Sequence, residues 1–185
     1  MKTYTEPPLT LADLEAAPDD GNLYELIEGE LHVSSAPSIF HQRLTIRIIG
    51  AFFDYLRRYP VGELLPGVGV IFDDFSAVIP DLVFVTHERL ERSEADGRLK
   101  SAPEIVIEIL SPGTSNERRD RQLKRDLYSR QGVHEYWIVD PIARAIELHR
   151  KRKTGGLEFI ARLQSGDELT STVLPEFTLP VDSLF

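Results

Sequence analysis

Two hydrophobic periods alternate along the chain, and each change of period marks an element. From Ser38 to Tyr59, SIFHQRLTIRIIGAFFDYLRRY spaces Leu44, Ile48, Phe52 and Leu56 four apart, which predicts a long amphipathic helix. Ahead of it, LTLADLEAAPDDG predicts a short opening helix, with Thr10 as N-cap and Pro18 to Gly21 as its stop. NLYELIEGELHVS carries two alternating runs that meet at Glu28-Gly29, the pattern of a hairpin. VGELLPGVGVIFDD and DLVFVT read as strands, and HERLERSEADGRLKSA as a polar, exposed connection with a little helix. EIVIEIL is a further strand, followed by a helix from about Asn116 to Gln131 that Gly132 terminates. HEYWIVD and RAIELHRK form strands around Asp140-Pro141, then LEFIARL and a tail of short extended pieces.

Strands and helices are interleaved, and a helix joins the EIVIEIL strand to the next, so the expected class is α/β. No repeat or linker interrupts the pattern, and residues 1–185 read as a single domain. Composition is that of an ordinary globular chain, 42% hydrophobic and 28% charged. No apolar run approaches the ~20 residues of a membrane span, and MKTYTEPPLT lacks the apolar core of a signal peptide. Without cysteine there is no disulfide framework and no thiolate metal site, so the expected location is cytoplasmic. The formal charge of −9 has the wrong sign for a protein that coats nucleic acid by bulk electrostatics. It is compatible with an enzyme whose carboxylates hold divalent cations that supply the positive field.

The candidate chemistry lies in polar residues set among apolar ones. On a strand, Glu104, Val106, Glu108 and Leu110 share one face, while Ile105, Ile107 and Ile109 line the other. With the isoleucines as core, Glu108 requires a cavity, a partner charge or a metal; the alternative is a glutamate at a sheet edge. Asp81 opens the run IPDLVFV, where an aspartate also serves as a turn residue bonding local backbone. Two such carboxylates on neighbouring strands repel and need a cation, and oxygen ligands suit Mg²⁺ or Mn²⁺. In NERRDRQLKRDLYSRQ, Leu123 and Leu127 define the inward stripe, with Asp120, Lys124 and Tyr128 beside it, four apart. Asp120 and Lys124 are either an exposed helix pair or part of a site. A strand carboxylate pair with a nearby lysine suits phosphodiester hydrolysis. The metal acidifies a bound water, and the lysine stabilises charge developing on phosphorus.

The segments YELIEGEL, PDLVFV, EIVIEILSPGTS, RRDRQLKRDLYSRQGVHEYWIVDP and LPEFTLPVDSLF resemble the Uma family of restriction-endonuclease-type proteins, over nearly the whole chain. That family belongs to the PD-(D/E)XK nuclease superfamily. The resemblance implies a restriction-endonuclease-like mixed central sheet flanked by helices, here with additional N-terminal and C-terminal hairpins. It also implies a Mg²⁺ or Mn²⁺ site. Asp81 matches the PD aspartate and Glu108 the acidic residue of the second half-motif, with the backbone carbonyl of Ile109 completing the protein ligands. The superfamily lysine falls two residues after that acid, where this chain has Leu110; the resemblance supports Lys124 as its substitute, with Asp120 orienting or partnering it. Glu25 matches an acidic family position near the site, either a second metal-side ligand or hairpin surface. His41, at the start of the long helix, has a supporting role, as does Tyr128.

The resulting expectation is a metal-dependent endonuclease acting on nucleic acid, with DNA the first choice, working as a homodimer or higher homo-oligomer. A nuclease-fold scaffold with weak turnover and a metal phosphodiesterase with a non-DNA substrate are the alternatives. Arg118, Arg119, Arg121 and Arg125 form a basic cluster near the site, open to reading as phosphate contacts or as a solvated helix face.

Overall fold

A computed structural model describes residues 7–111 and 118–185. The chain opens with α1 (Leu11–Glu15), capped by Thr10, and then the hairpin β1 (Leu23–Ile27) and β2 (Glu30–Ser34). Glu28 and Gly29 turn that hairpin with φ of 51° and 77°, the left-handed pair a two-residue loop demands. Helix α2 (Ile39–Leu56) follows, its first turn closed by the Ser38 hydroxyl accepting from His41 N at 3.2 Å. Next come β3 (Gly62–Pro66), β4 (Val70–Asp73), β5 (Ser76–Val78) and β6 (Leu82–Thr86). The polar connection holds α3 (His87–Ser93) and two short strands, β7 (Glu94–Ala95) and β8 (Arg98–Leu99).

The strand bearing Glu108 is β9 (Ile105–Ile109). The start of the helix expected from Asn116 falls outside the described residues. Its described part begins as π-helix, Arg119–Lys124, and continues as α4 (Arg125–Gln131). Gly132 ends it at φ 86°, as its position predicted. Strands β10 (Glu135–Asp140), β11 (Ala145–Lys151) and β12 (Leu157–Leu163) complete the main sheet. A small pair, β13 (Glu168–Thr170) with β14 (Thr178–Pro180), lies in the tail.

The main sheet has the order β12-β11-β10-β9-β6-β3. It is mixed: β9 and β10 are parallel across the helical crossover, and the other pairs are antiparallel. A second six-stranded sheet has the order β2-β1-β5-β4-β8-β7. The N-terminal hairpin is therefore not an appendage. It forms one side of this second sheet, joined through the Leu26–Ala77 pairing of β1 with β5.

Both faces of β9 are covered. Ile105, Ile107 and Ile109 pack with Leu44, Ile48 and Phe52 of α2 and with Trp137 and Phe177. Val106 and Leu110 pack on the opposite face with Leu127, Tyr128 and Tyr136. Each large side chain so buried contributes about 1.5–3 kcal/mol. Glu108 thus occupies a face that is also core, and what compensates it is a side chain from the crossover helix.

Candidate active site

Strand register brings the two carboxylates together. Leu82 of β6 pairs with Ile107 of β9, so the next step along both strands sets Asp81 beside Glu108. Asp81 Oδ2 accepts from the backbone N–H of Ile109 at 2.7 Å and lies 3.0 Å from His41 Nε2. Both of that oxygen's lone pairs are thereby used, and Oδ1 has no partner among the described residues. The Asp81 side chain is 25% exposed and His41 is buried. His41 lies in the first turn of α2, which Ser38 caps, and that turn meets the start of β6 at Asp81.

Glu108 Oε1 accepts from Lys124 Nζ at 2.9 Å and from the Tyr128 hydroxyl at 2.8 Å. Its other oxygen meets only a long contact with Asp81 N, 3.4 Å. Lys124 Nζ is also 2.8 Å from Glu25 Oε1, and that same oxygen accepts from Ile79 N at 2.8 Å. Glu25 is buried, so the hairpin-surface reading of it is corrected: β1 delivers it inward because β1 is an inner strand of the second sheet.

The helix buries a wider face than its leucines suggested: Leu127 is buried as expected, and so is the polar line beside it. Asp120, Lys124 and Tyr128 are all buried, whereas Leu123 is only partly so. The polar line itself faces inward. The π-helical turn carries Asp120 and Lys124 and sets their register, and such wide turns recur at functional sites. Asp120 does not bond Lys124. Its Oδ1 accepts from Arg119 Nε at 3.0 Å, and Arg119 Nη1 donates to the Ser34 hydroxyl at 2.6 Å. Leu110 is buried against Val106, Leu127 and Tyr128, so a lysine at that position would enter apolar packing.

Electrostatics follow from this crowding. Burial pushes the Glu108 carboxyl up to about 8, with Asp81, Asp120 and Glu25 adding to the rise and Lys124 opposing it. Burial works against the Lys124 charge, but Glu108, Glu25 and Asp120 outweigh it and hold the ammonium above its ordinary value. The two groups pull on one proton. The Lys124 ammonium at 2.9 Å and the Tyr128 hydroxyl at 2.8 Å both favour the carboxylate form of Glu108 against that burial. Burial, then Glu108, raises the Tyr128 hydroxyl well above the usual phenol range, keeping it a donor.

These groups line a cleft of about 220 Å³ walled by Glu25, Ser34, His41, Asp81, Glu108, Ile109, Arg119 and Lys124. A larger cavity of about 430 Å³, bounded by Leu14, Val70, Ile71 and the Arg98–Glu15 ion pair, contains none of the carboxylates discussed here. Chemistry rather than size locates the site.

Comparisons with known proteins give the family and the fold. Residues 11–182 match the model of the Uma2 family, described as "Putative restriction endonuclease". The chain belongs to the Uma2 family. The crystal structure of a "putative nuclease belonging to DUF820" from Anabaena variabilis has the same fold, with a TM-score of 0.75 at 19% identity. That match covers 96% of this chain and 98% of the other. No curated protein matches the sequence. As a Uma2 member the chain has the restriction-endonuclease-like α/β architecture that its motifs implied.

Among the described residues no three His, Cys, Asp or Glu side chains converge as a metal cage. Glu25 and Glu108 each direct an oxygen to Lys124 instead. The donor set still fits Mg²⁺ or Mn²⁺, which bind through one or two carboxylates while keeping several waters. Asp81 Oδ1 and Glu108 Oε2, with neither fully committed, are hard oxygen donors of that kind. Two participants were not legible in the sequence. Ser34 lies at the end of an ordinary hairpin strand, and Ile79 acts through its backbone N–H, which no residue type signals.

Proposed function

We propose that this Uma2 protein is a divalent-metal-dependent endonuclease that hydrolyses nucleic-acid phosphodiester bonds, with DNA as substrate. The observation that carries the reading is Asp81 and Glu108 side by side at one end of the main sheet, each with one oxygen held and one available. Asp81, Glu108 and the carbonyl of Ile109 would hold Mg²⁺ or Mn²⁺. Bound there, the ion supplies a Lewis acid for a phosphoryl oxygen and an acidified water. His41 and the Ile109 N–H fix the Asp81 carboxylate. Tyr128 and Lys124 fix Glu108, and Lys124 also offsets the charge of Glu25.

Incubating plasmid, linear duplex and single-stranded DNA with the full chain tests the reading. Cleavage with Mn²⁺ or Mg²⁺ that chelation stops is expected. Metal-tight binding without strand breaks would instead favour a scaffold that kept the fold. We also propose that two copies associate to present paired sites, through exposed apolar positions after Tyr136 such as Ile142, Phe159 and Ile160. A strict monomer by light scattering at assay concentrations would remove that part.

A further inference from the structure

Among the described residues, the arginine and lysine side chains that line the cleft are Arg119 and Lys124. Lys124 is committed. Its ammonium is 2.8 Å from Glu25 and 2.9 Å from Glu108, and its side chain is 2% exposed. Reaching a phosphate would strand two buried carboxylates without their cation, an expensive state. The role first read for Lys124, meeting charge on phosphorus, therefore needs another carrier.

Arg119 is built for it. Its Nε donates to Asp120 and its Nη1 to Ser34, so both the helix and strand β2 fix the guanidinium plane. Nη2 has no partner among the described residues, and the side chain is 12% exposed where it lines the cleft. A guanidinium has five N–H donors in a rigid fork, and two anchors leave three for a ligand. Arg118 is exposed and does not line the cleft. Arg121 pairs with Asp140 and Glu147, and Arg125 with Asp126; neither lines the cleft.

We propose that Arg119, rather than Lys124, is the cation that contacts a backbone phosphate of the bound nucleic acid, and that Asp120 and Ser34 are its positioning residues. The proposal rests on the nucleic-acid reading of the site. A guanidinium held in advance suits phosphate oxygens bidentately and loses little freedom on binding.

The test is the salt dependence of binding to a short labelled DNA duplex, and to one of its single strands, by anisotropy in Ca²⁺, with gels checking that the DNA stays intact. Each phosphate contact contributes a slope of about 0.9 to the fall of log K with log salt on a duplex. Arg119→Gln should lower the slope by about one, and Arg119→Lys should keep it. Arg125→Gln should change nothing. In Mn²⁺, Arg119→Gln should lower kcat/KM by about a hundredfold.

Arg119→Gln leaves Asp120 buried without its partner, so the double change Arg119→Gln with Asp120→Asn is measured alongside and should show the same reduced slope. An unchanged slope in the folded variants overturns the Arg119 role while the nuclease reading stands. Loss of fold in both variants by circular dichroism assigns Arg119 to structure and also overturns it. Wild-type protein that binds neither DNA form defeats the nucleic-acid reading and this proposal together.

Discussion

Glu108 and Glu135 are two buried glutamates on adjacent parallel strands, each set in an apolar run, and they have opposite fates. Glu135 is fully enclosed. Its Oε1 accepts from Thr172 N at 2.7 Å and from the Thr172 hydroxyl at 2.6 Å, and its Oε2 from Trp137 Nε1 at 2.9 Å. Arg150 adds an ion pair at 3.3 Å. Both oxygens are bonded, so Glu135 is a clamp that ties the tail to β10. Glu108 has one oxygen doubly bound, another nearly free, Asp81 alongside and a cleft in front. Burial of a carboxylate does not mark a site. Incomplete satisfaction beside a like charge does.

The largest effect that could break this contrast is on chemistry. Asp81→Asn or Glu108→Gln should abolish Mn²⁺ binding by calorimetry and cut cleavage by about a thousandfold. Glu135→Gln should leave Mn²⁺ affinity where it was. Stability should respond in the opposite sense: Glu108→Gln stays within ~1 kcal/mol of wild type, because Lys124 keeps Glu25 as its partner. Equal loss of metal affinity in the Glu108 and Glu135 variants would erase the distinction.

Lys124→Met comes next. It leaves Glu25 and Glu108 buried without a cation, a loss of about 3–5 kcal/mol, and should also lower turnover by about a hundredfold. Chemical denaturation and initial rates would measure the two losses. Wild-type activity in a folded Lys124→Met would show that the ammonium is structural alone.

Glu135→Ala should touch stability alone, costing about 2–4 kcal/mol in thermal unfolding with unaltered kcat. Thr172 N and Trp137 Nε1 lose their acceptor, while Arg150, 23% exposed, recovers water. A neutral variant would mean that the tail is held by its apolar contacts, Leu174, Phe177 and Leu179, without the clamp.

Local pattern carried much of this protein. The four-residue spacing of Leu44, Ile48 and Phe52 specified α2, Glu28-Gly29 specified a turn with positive φ, and Gly132 specified a helix end, because each depends on neighbours in sequence. The Uma-type motifs placed Asp81, Glu108 and Lys124 among the residues to watch. What the chain alone left open was which charges meet. Leu123 and Lys124 are adjacent, and an ideal helix period put the inward stripe on the leucines. In the packed chain Leu127 is inward as expected, and Asp120, Lys124 and Tyr128 are buried alongside it.

Glu25 was equally consistent with surface or site until the second sheet made β1 an inner strand. Arg119 looked like three other arginines until Ser34, 85 positions away in sequence, and Asp120 took hold of it. An ion pair is decided by distance and by how much water is left around it, and both are properties of the packed chain. Sequence sets which groups can ionise; only the tertiary structure decides which of them share a dry enclosure and which one is left facing the cleft.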